Sequence, residues 1–378
     1  MKRSLVLYFS SEIFLSLGIG VVNYAQPFLY KSAGLNDGLV GLLFSVNSFF
    51  AGGAALFLGP MADKVGASRM FKLATFLMAV AFALLAFFHS FWPWVLTAVV
   101  SGIAVGMLMS TENVVLSSLT KGHEKAGVLS KFVSLYMLLI SMGVLLSGFL
   151  SGTIGFRGAV WVGAGITAVS PLIRFWLKAP DAKSDRLLRL PSKHVALMSV
   201  YAVLIGASMG VLNPFITLLL HNHFLLDNHV TSMIQAASTL MVSVGAFLVS
   251  SMLRRFRHGR TLLLSFLLAV VFTVSMVFAG GPWLFAGGYL FRTVFLTMPG
   301  PIVDAAFLDL SHESEFSQMF GTRVFGNNAG SALGSYGGGA MLNHNLMFGL
   351  ALASTAMIIF GYIFLLFLLR KFRSTQST

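Results

Sequence analysis

The chain has 378 residues, of which 57% are hydrophobic and only 10% are charged. With 36 phenylalanines and 19 methionines it has too little polar surface to coat a water-soluble globule of this size, so lipid must solvate it. The net charge of +13 does not indicate nucleic-acid binding, because the basic residues fall in short loops rather than on one exposed surface.

Apolar segments long enough to cross about 30 Å of hydrocarbon as helices recur along the whole chain. The alternating pattern of membrane β-barrel strands is absent from the sequence. We therefore predict an all-α membrane protein with twelve transmembrane helices, at residues 4–29, 38–61, 70–89, 92–119, 127–151, 157–178, 194–221, 228–252, 261–279, 282–310, 315–341 and 344–369.

Lysine and arginine positions predict the orientation. Only Lys31 and Arg157 fall in the first, third or fifth loop, and Arg292 falls inside a span. By the positive-inside rule we expect the other basic residues and both termini to face the cytoplasm, with the chain as a multi-pass protein of the cell (cytoplasmic) membrane. The net positive charge is then mainly a topology signal.

A polar stripe follows one face of the first span, because its members advance by four, three, four and three residues: Glu12, Ser16, Ile19, Asn23 and Gln26. Such a stripe should face a cavity or another helix. Desolvation disfavours the charged form of a carboxylate there, so Glu12 could take up and release a proton during transport. The alternative is a structural pairing of Glu12 with Lys131 on the fifth span.

A pair of opposite charges appears twice in the sequence. Lys131 follows Glu112 by 19 residues, and Arg323 follows Asp304 by the same spacing. An ionisable side chain in a bilayer is costly unless it is paired. The repetition predicts a charge-pair brace near the cytoplasmic ends of the spans in each half, with a direct transport role as the alternative.

The longest polar stretch, residues 179–193, divides the chain into two groups of six spans. We predict an N-terminal bundle at 1–178, a cytoplasmic linker at 179–193 and a C-terminal bundle at 194–378. Glycines recur at one offset in the two halves: Gly143 and Gly148, then Gly334 and Gly339. Repeats of this kind build a central site between two halves, and small residues let helices approach closely.

The turn between the second and third spans carries the most specific motif. It reads Gly59-Pro-Met-Ala-Asp63-Lys64-Val-Gly66-Ala-Ser-Arg69, and resembles the signature G-x-x-x-D-[RK]-x-G-[RK]-[RK] of the major facilitator superfamily. Four positions match, while alanine and serine replace the two final basic positions and Arg69 comes one place late. With the twelve spans, the linker and the doubled charge pair, the resemblance covers nearly the whole chain.

The resemblance implies two pseudo-symmetric six-helix bundles that give alternating access to a central cavity. It implies that Asp63 contacts the eleventh span and latches the outward-open state, and that the tenth span lines the cavity. Arg292 lies in the middle of that span and would suit a carboxylate or phosphate of a substrate. It could instead form a satisfied internal bridge, or act as a counter-ion to Glu12 in one state of the transport cycle. Asn213 on the seventh span is a further cavity candidate.

The sequence lacks the groups that other functions need. It has no cysteine, no Walker loop, no nucleophile elbow and no H-E-x-x-H motif, so we expect neither an enzyme nor an ATP-driven pump. Three histidines near Asp227 lack a metal-binding frame, and no metal is expected. The only energy source that we predict is the proton gradient, with no cofactor.

We therefore predict a monomeric secondary active transporter that exports a small amphipathic or organic solute, lipophilic or anionic, in exchange for protons. Abundant phenylalanine and methionine favour adaptable apolar walls. The alternatives are a proton-coupled importer of a sugar, organic acid or peptide, a lipid or lysolipid exporter, and a non-transporting membrane sensor or scaffold. An intramembrane enzyme is disfavoured by the missing catalytic groups.

Overall fold

A computed structural model describes residues 2–120, 125–180, 192–310 and 316–376, apart from the side chains of residues 2, 60, 63, 126, 130, 193, 194, 250, 308–310, 316–318 and 371–376. Across these residues the chain is almost wholly helical and contains no strand. The predicted all-α class is confirmed. The predicted linker lies largely outside the described residues, so the proposed domain boundaries stay a prediction.

Thirteen helices are found in the described residues: α1 (Lys2–Ser32), α2 (Asp37–Val65), α3 (Ala67–Phe87), α4 (Phe91–Ser118), α5 (Lys125–Phe175), α6 (Lys193–Leu212), α7 (Ile216–Leu218), α8 (Asn228–Arg255), α9 (His258–Val277), α10 (Pro282–Thr297), α11 (Pro299–Leu310), α12 (Phe316–Asn343) and α13 (Met347–Gln376). A 3-10 turn at Asn213–Phe215 precedes α7, and a π-turn at Leu219–His223 follows it.

Side chains fix several helix starts where the sequence places polar residues between apolar segments. The side chain of Asn36 accepts a hydrogen bond from the Leu39 amide at 2.9 Å, and Asp227 accepts one from Val230 at 2.7 Å. These bonds satisfy amides that have no partner within the first helical turn. They set the starts of α2 and α8.

Breaks in the longer helices coincide with glycine and proline. Gly155 interrupts α5 with a φ of 74°, which divides it into arms at 125–154 and 156–175. A non-glycine residue rarely adopts this conformation. Pro214 follows the end of α6, and Pro299 begins α11 directly after α10, because proline offers no amide hydrogen to continue a helix.

Nine helical segments in the described part of the chain are long and apolar enough to cross a membrane. One of them, Gly127–Phe175, contains the break at Gly155 and covers the fifth and sixth predicted spans. The tenth predicted span corresponds to α10 and α11, and the eleventh to α12. None of these three helices is among the nine segments. The multi-spanning architecture agrees with prediction, while the count of twelve stays a prediction.

Large apolar side chains cover the outside of the bundle. Trp92 and Phe278 are each 77% exposed, and Phe175 is 74% exposed. Many more aromatic and aliphatic residues are similarly uncovered, which would favour aggregation in water. This surface is suited to lipid.

The helices before and after the predicted linker meet at one end of the bundle, which we call the outer end because the charge distribution predicts that it faces away from the cytoplasm. There, Tyr24 donates a hydrogen bond to the Asn228 carbonyl at 2.8 Å, and Ser141 donates to the Ala236 carbonyl at 2.9 Å. One apolar core runs through the first half and continues at this end into residues of the later helices, such as Phe215 and Phe285. A second core, of residues from Val195 onward, lies at the other ends of the later helices.

The repeated glycines make the close contacts of this arrangement. Gly143 packs against α1 and Gly334 packs against α6, so the first glycine of each pair joins helices within one half. Gly148 packs against Ser232 of α8, and Gly339 packs against α2, so the second glycine joins the two halves. At all four positions an added Cβ would collide with neighbouring atoms. The glycines that recur in the sequence of the two halves therefore make equivalent helix contacts in the structure.

A bulky side chain at Gly339 should open the outer end. We expect Gly339→Val to push α12 away from α2, whereas Gly337→Val on the same helix should have no effect, since an added Cβ there meets nothing within 4 Å. A single cysteine replacing Ser232, which is 1% exposed, would report opening through its rate of maleimide labelling. The rate should rise several-fold with Gly339→Val alone, and equal rates in both variants would contradict this role.

Candidate functional site

A cavity of about 300 Å³ lies among the helices of the first half. Its lining combines aliphatic, aromatic, thioether, amide and hydroxyl groups with a single carboxylate. The lining residues are Ile19, Asn23, Gln26, Phe44, Asn47, Met78, Phe82, Leu85, Thr97, Ser101, Val105, Leu108, Met109, Glu112 and Tyr136. They come from α1, α2, α3, α4 and the first arm of α5, so the cavity depends on the packing of five helices.

The polar stripe predicted on the first span divides in two. Its later members, Ile19, Asn23 and Gln26, lie on the cavity wall, and Gln26 donates a hydrogen bond to the Tyr30 hydroxyl at 2.8 Å. Its earlier members, Glu12 and Ser16, are fully buried and do not line the cavity. A straight helix presents one stripe, but the helices packed against it differ along its length.

Glu12 forms an ion pair that sequence reasoning missed. An Arg174 nitrogen lies 2.6 Å from a Glu12 carboxylate oxygen, and both side chains are 0% exposed. Ser16 donates a hydrogen bond to the other carboxylate oxygen at 2.6 Å. The structure thus pairs Glu12 with Arg174 rather than with Lys131, the alternative partner considered from the sequence. A contact between Glu12 and Arg292 in another state of the transport cycle stays a prediction.

Each of the three guanidinium nitrogens of Arg174 has a hydrogen-bond partner. Its Nε donates to the Ser11 hydroxyl at 3.0 Å, and a terminal nitrogen donates to the Thr75 hydroxyl. The guanidinium carbon lies 3.8 Å from the centre of the Phe71 ring, which adds a cation–π contact. The ion pair thereby ties the second arm of α5 to α1 and α3.

The sequence contained one signal for Arg174. It falls inside the predicted sixth span, after the apolar run Pro171-Leu-Ile, but the positive-inside count grouped it with the cytoplasmic basic residues. Its complete burial shows that its side chain lies in the interior of the helix bundle. A charged residue inside a predicted span should be treated as half of a pair until its partner is found.

Glu112 differs from Glu12 in both position and partners. It lies on α4, is half-buried and lines the cavity. Among the described residues no ion pair joins it to Lys131, which is exposed. The predicted Glu112–Lys131 brace is therefore wrong. The Tyr8 hydroxyl contacts the Glu112 main-chain carbonyl at 3.3 Å, and the Tyr8 ring stacks on Phe71.

The second copy of the charge pair is present in the structure. An Arg323 nitrogen lies 2.7 Å from an Asp304 carboxylate oxygen, with both side chains a quarter to a third exposed. Equal spacing in sequence thus gives different contacts in the two halves. The two basic side chains differ in position, since Lys131 lies on an exposed face of α5 whereas Arg323 is half-buried beside Asp304.

Arg292 has no carboxylate partner in the described part of the chain. It is 1% exposed, and its terminal nitrogens donate to the Asn213 side chain, the Ser208 carbonyl and the Ser354 hydroxyl at 2.9, 2.9 and 3.0 Å. It therefore links α10 to the end of α6 and to α13. It does not line the cavity, whereas Asn213 in front of it is exposed.

The motif between the second and third spans forms a one-residue turn. Gly66 separates α2 from α3 with a φ of 108°, a conformation that favours glycine. Lys64 and Arg69 are exposed on either side, and Gly59 lies against Ser110 of α4. The Asp63 side chain lies outside the described residues, so its predicted contact with the eleventh span stays a prediction.

Removing one partner of the Glu12–Arg174 pair should be strongly destabilising. We expect Glu12→Gln or Arg174→Gln to lower the free energy of unfolding by about 3–5 kcal/mol, because either change strands a buried polar or charged group. The double variant should lose less than the sum of the two. A matched cycle on Lys31 and Asp37, a half-exposed pair at 2.9 Å, should show a coupling of about 0–1 kcal/mol. Additive losses at Glu12 and Arg174 in detergent melts would contradict the pairing.

Comparison with known proteins agrees with this architecture. The model of the Major Facilitator Superfamily matches residues 8–203 and 198–378. The chain is 26% identical over 174 residues to the MFS-type transporter YcaD of Salmonella typhimurium, across 45% of each chain. It is 32% identical over 126 residues to the quinolone resistance protein NorA of Staphylococcus aureus, across 33% of this chain and 32% of NorA. The chain thus spans less than half the length of these relatives.

Solved structures show the same fold. A point variant of the nucleoside transporter NupG matches with a TM-score of 0.78 over 99% of both chains, at 14% sequence identity. Identity this low shows shared architecture alone. Since the family model matches nearly all of the sequence, this chain belongs to the major facilitator superfamily.

Proposed function

We propose that this chain exports a small amphipathic or organic solute across the cytoplasmic membrane by alternating access, in exchange for protons. The observation that carries this proposal is the cavity in the first half, which combines apolar and aromatic walls with a single carboxylate. Its size of about 300 Å³ is that of a small-molecule pocket. The proton gradient would be the energy source.

Contacts at the outer end support the alternating-access part of the proposal. The repeated glycines join α2 to α12 and α5 to α8 there, and one core is shared by both halves. In alternating access, one of the two states is closed at the outer end, as these contacts would make it. Asp63, at the opposite end of α2, is proposed to latch that side in the other state.

The cavity wall favours export of an amphipathic solute over import of a polar one. Aromatic rings and methionines outnumber amides on the wall, and flexible methionines suit varied cargo. The relatives' names point in different directions, since NorA is a resistance protein and NupG is a nucleoside transporter. Import of a polar solute is the second candidate, favoured by the amides Asn23, Gln26 and Asn47 on the same wall.

The proposed orientation places both termini in the cytoplasm. Arg174 leaves the positive-inside count because it is buried, but the remaining basic residues still lie mainly in the loops predicted for that side. Lys31, at the opposite side, is paired with Asp37. We propose that the chain works as a monomer, because the cavity is complete within one chain.

Transport in proteoliposomes would test this function. We expect a pH gradient to drive at least one of a panel of aromatic amphipathic solutes with positive, negative or no charge, in the direction opposite to the protons. Uridine, a polar solute, should not accumulate. Collapse of the gradient with a protonophore and liposomes without protein provide the controls. Accumulation of uridine with the protons, and of no amphipathic solute, would overturn the proposal in favour of import.

A further inference from the structure

We propose that the cavity binds a monovalent organic cation with an aromatic or bulky apolar body, and that Glu112 is its counter-ion. A proton and the cation would occupy the same carboxylate in turn. This inference rests on the proposed function and adds the substrate class and the residue at which exchange takes place.

The first argument is that the Glu112 carboxylate has no ion-pair partner of its own, because Arg174, which faces it, is paired with Glu12. Glu112 is the only charged residue among the described residues of the cavity wall. No ion pair involves it in the described part of the chain, and Lys131 is exposed elsewhere. A carboxylate in an apolar setting is costly to keep ionised unless a positive charge approaches it. A positively charged ligand would supply that charge.

The second argument is the charge balance of the buried groups behind the cavity. A guanidinium nitrogen of Arg174 already lies 2.6 Å from a Glu12 carboxylate oxygen. Contacts with Ser11, Thr75 and Phe71 hold the guanidinium in this position. Arg174 and Glu12 cancel, so together with Glu112 the cluster carries one net negative charge when all three are ionised. One proton or one monovalent cation restores neutrality.

The third argument is the composition of the wall. Phe44, Phe82 and Tyr136 line the same cavity as Glu112, together with Met78 and Met109. Aromatic faces attract organic cations electrostatically, and thioethers adapt to irregular apolar bodies. An anion would find no positive partner there, because no lysine or arginine that the structure describes lines the cavity.

The amides add acceptors suited to a cation. The Asn47 side chain donates to the Ser101 hydroxyl at 2.7 Å and to the Ala98 carbonyl at 3.3 Å. With its amino group engaged in these bonds, its oxygen is the group left to accept. An ammonium group is a donor only, so it matches such an acceptor.

The groups facing Glu112 determine how the exchange depends on pH. Tyr8 and Glu12 come from α1, and Tyr136 and Arg174 come from the two arms of α5. The charged side chains described on α2 and α3 are those of Asp37, Lys64, Arg69 and Lys72, and none of them lines the cavity. The cation requires the ionised carboxylate, and protonation removes the attraction. Exchange of one proton for one monovalent cation is therefore electroneutral.

Binding of benzyltrimethylammonium, a permanent cation with one aromatic ring, tests the inference on the purified full-length protein in detergent. We expect equilibrium binding to be at least tenfold weaker in Glu112→Gln and partly recovered in Glu112→Asp. Asp37→Asn, which removes a carboxylate at the outer end, should bind like the parent. Phenylacetate, an anion of similar size, should not compete.

A pH titration of the unmodified protein tests the same inference without any variant. Probe affinity should fall as the pH falls, because protons and the probe compete, whereas a pH-independent affinity would overturn the inference. Equal binding by a folded Glu112→Gln protein, or preference for phenylacetate, would also overturn it. If proton-driven transport is seen but binding ignores Glu112, this inference fails and the proposed function stands. If the probe binds at Glu112 but no transport is seen, the proposed function fails and this inference stands.

Discussion

The fully buried ion pair between Glu12 and Arg174 is the interaction on which the first half of the protein depends. Two charges removed from water gain little unless every donor and acceptor around them is satisfied. Here Ser11, Ser16 and Thr75 complete the hydrogen bonds, and Phe71 covers the guanidinium. The pair can form only when α1, α3 and the second arm of α5 are docked together, so it links helix packing to charge neutrality.

Because Glu12 is paired, Glu112 rather than Glu12 is the carboxylate suited to exchange a proton during transport. In sequence the two acids look equivalent, since each falls in an apolar span. In the structure Glu12 is neutralised in the interior, whereas Glu112 lines the cavity and has no ion-pair partner among the described residues. A group committed to a buried pair is poorly placed to gain and lose a proton during a transport cycle. A carboxylate on a cavity wall is accessible to both proton and substrate.

The two halves share their helix contacts more closely than their charges. Glycines at one offset join equivalent helices in each half, because close approach of backbones requires the smallest residue wherever that contact recurs. Charges are not repeated in this way: Asp304 and Arg323 pair, Glu112 and Lys131 do not, and Arg292 is held by neutral groups. Architecture is thus symmetric while chemistry is concentrated in the first half. The cavity among α1 to α5 makes the first half the natural place to look for the substrate.

The sequence by itself determined the membrane setting, the all-helical class, the family resemblance and the glycine repeat, since these follow from composition, segment length and local spacing. It also placed Asn23 and Gln26 on one helical face, as the 3.6-residue period requires. Partner choice was decided only by the tertiary structure. Arg174 lies 162 residues from Glu12 along the chain, and no local pattern connects them. Equal 19-residue spacing gave an ion pair in one half and none in the other, because the helix rotations that bring side chains together depend on packing against every neighbouring helix.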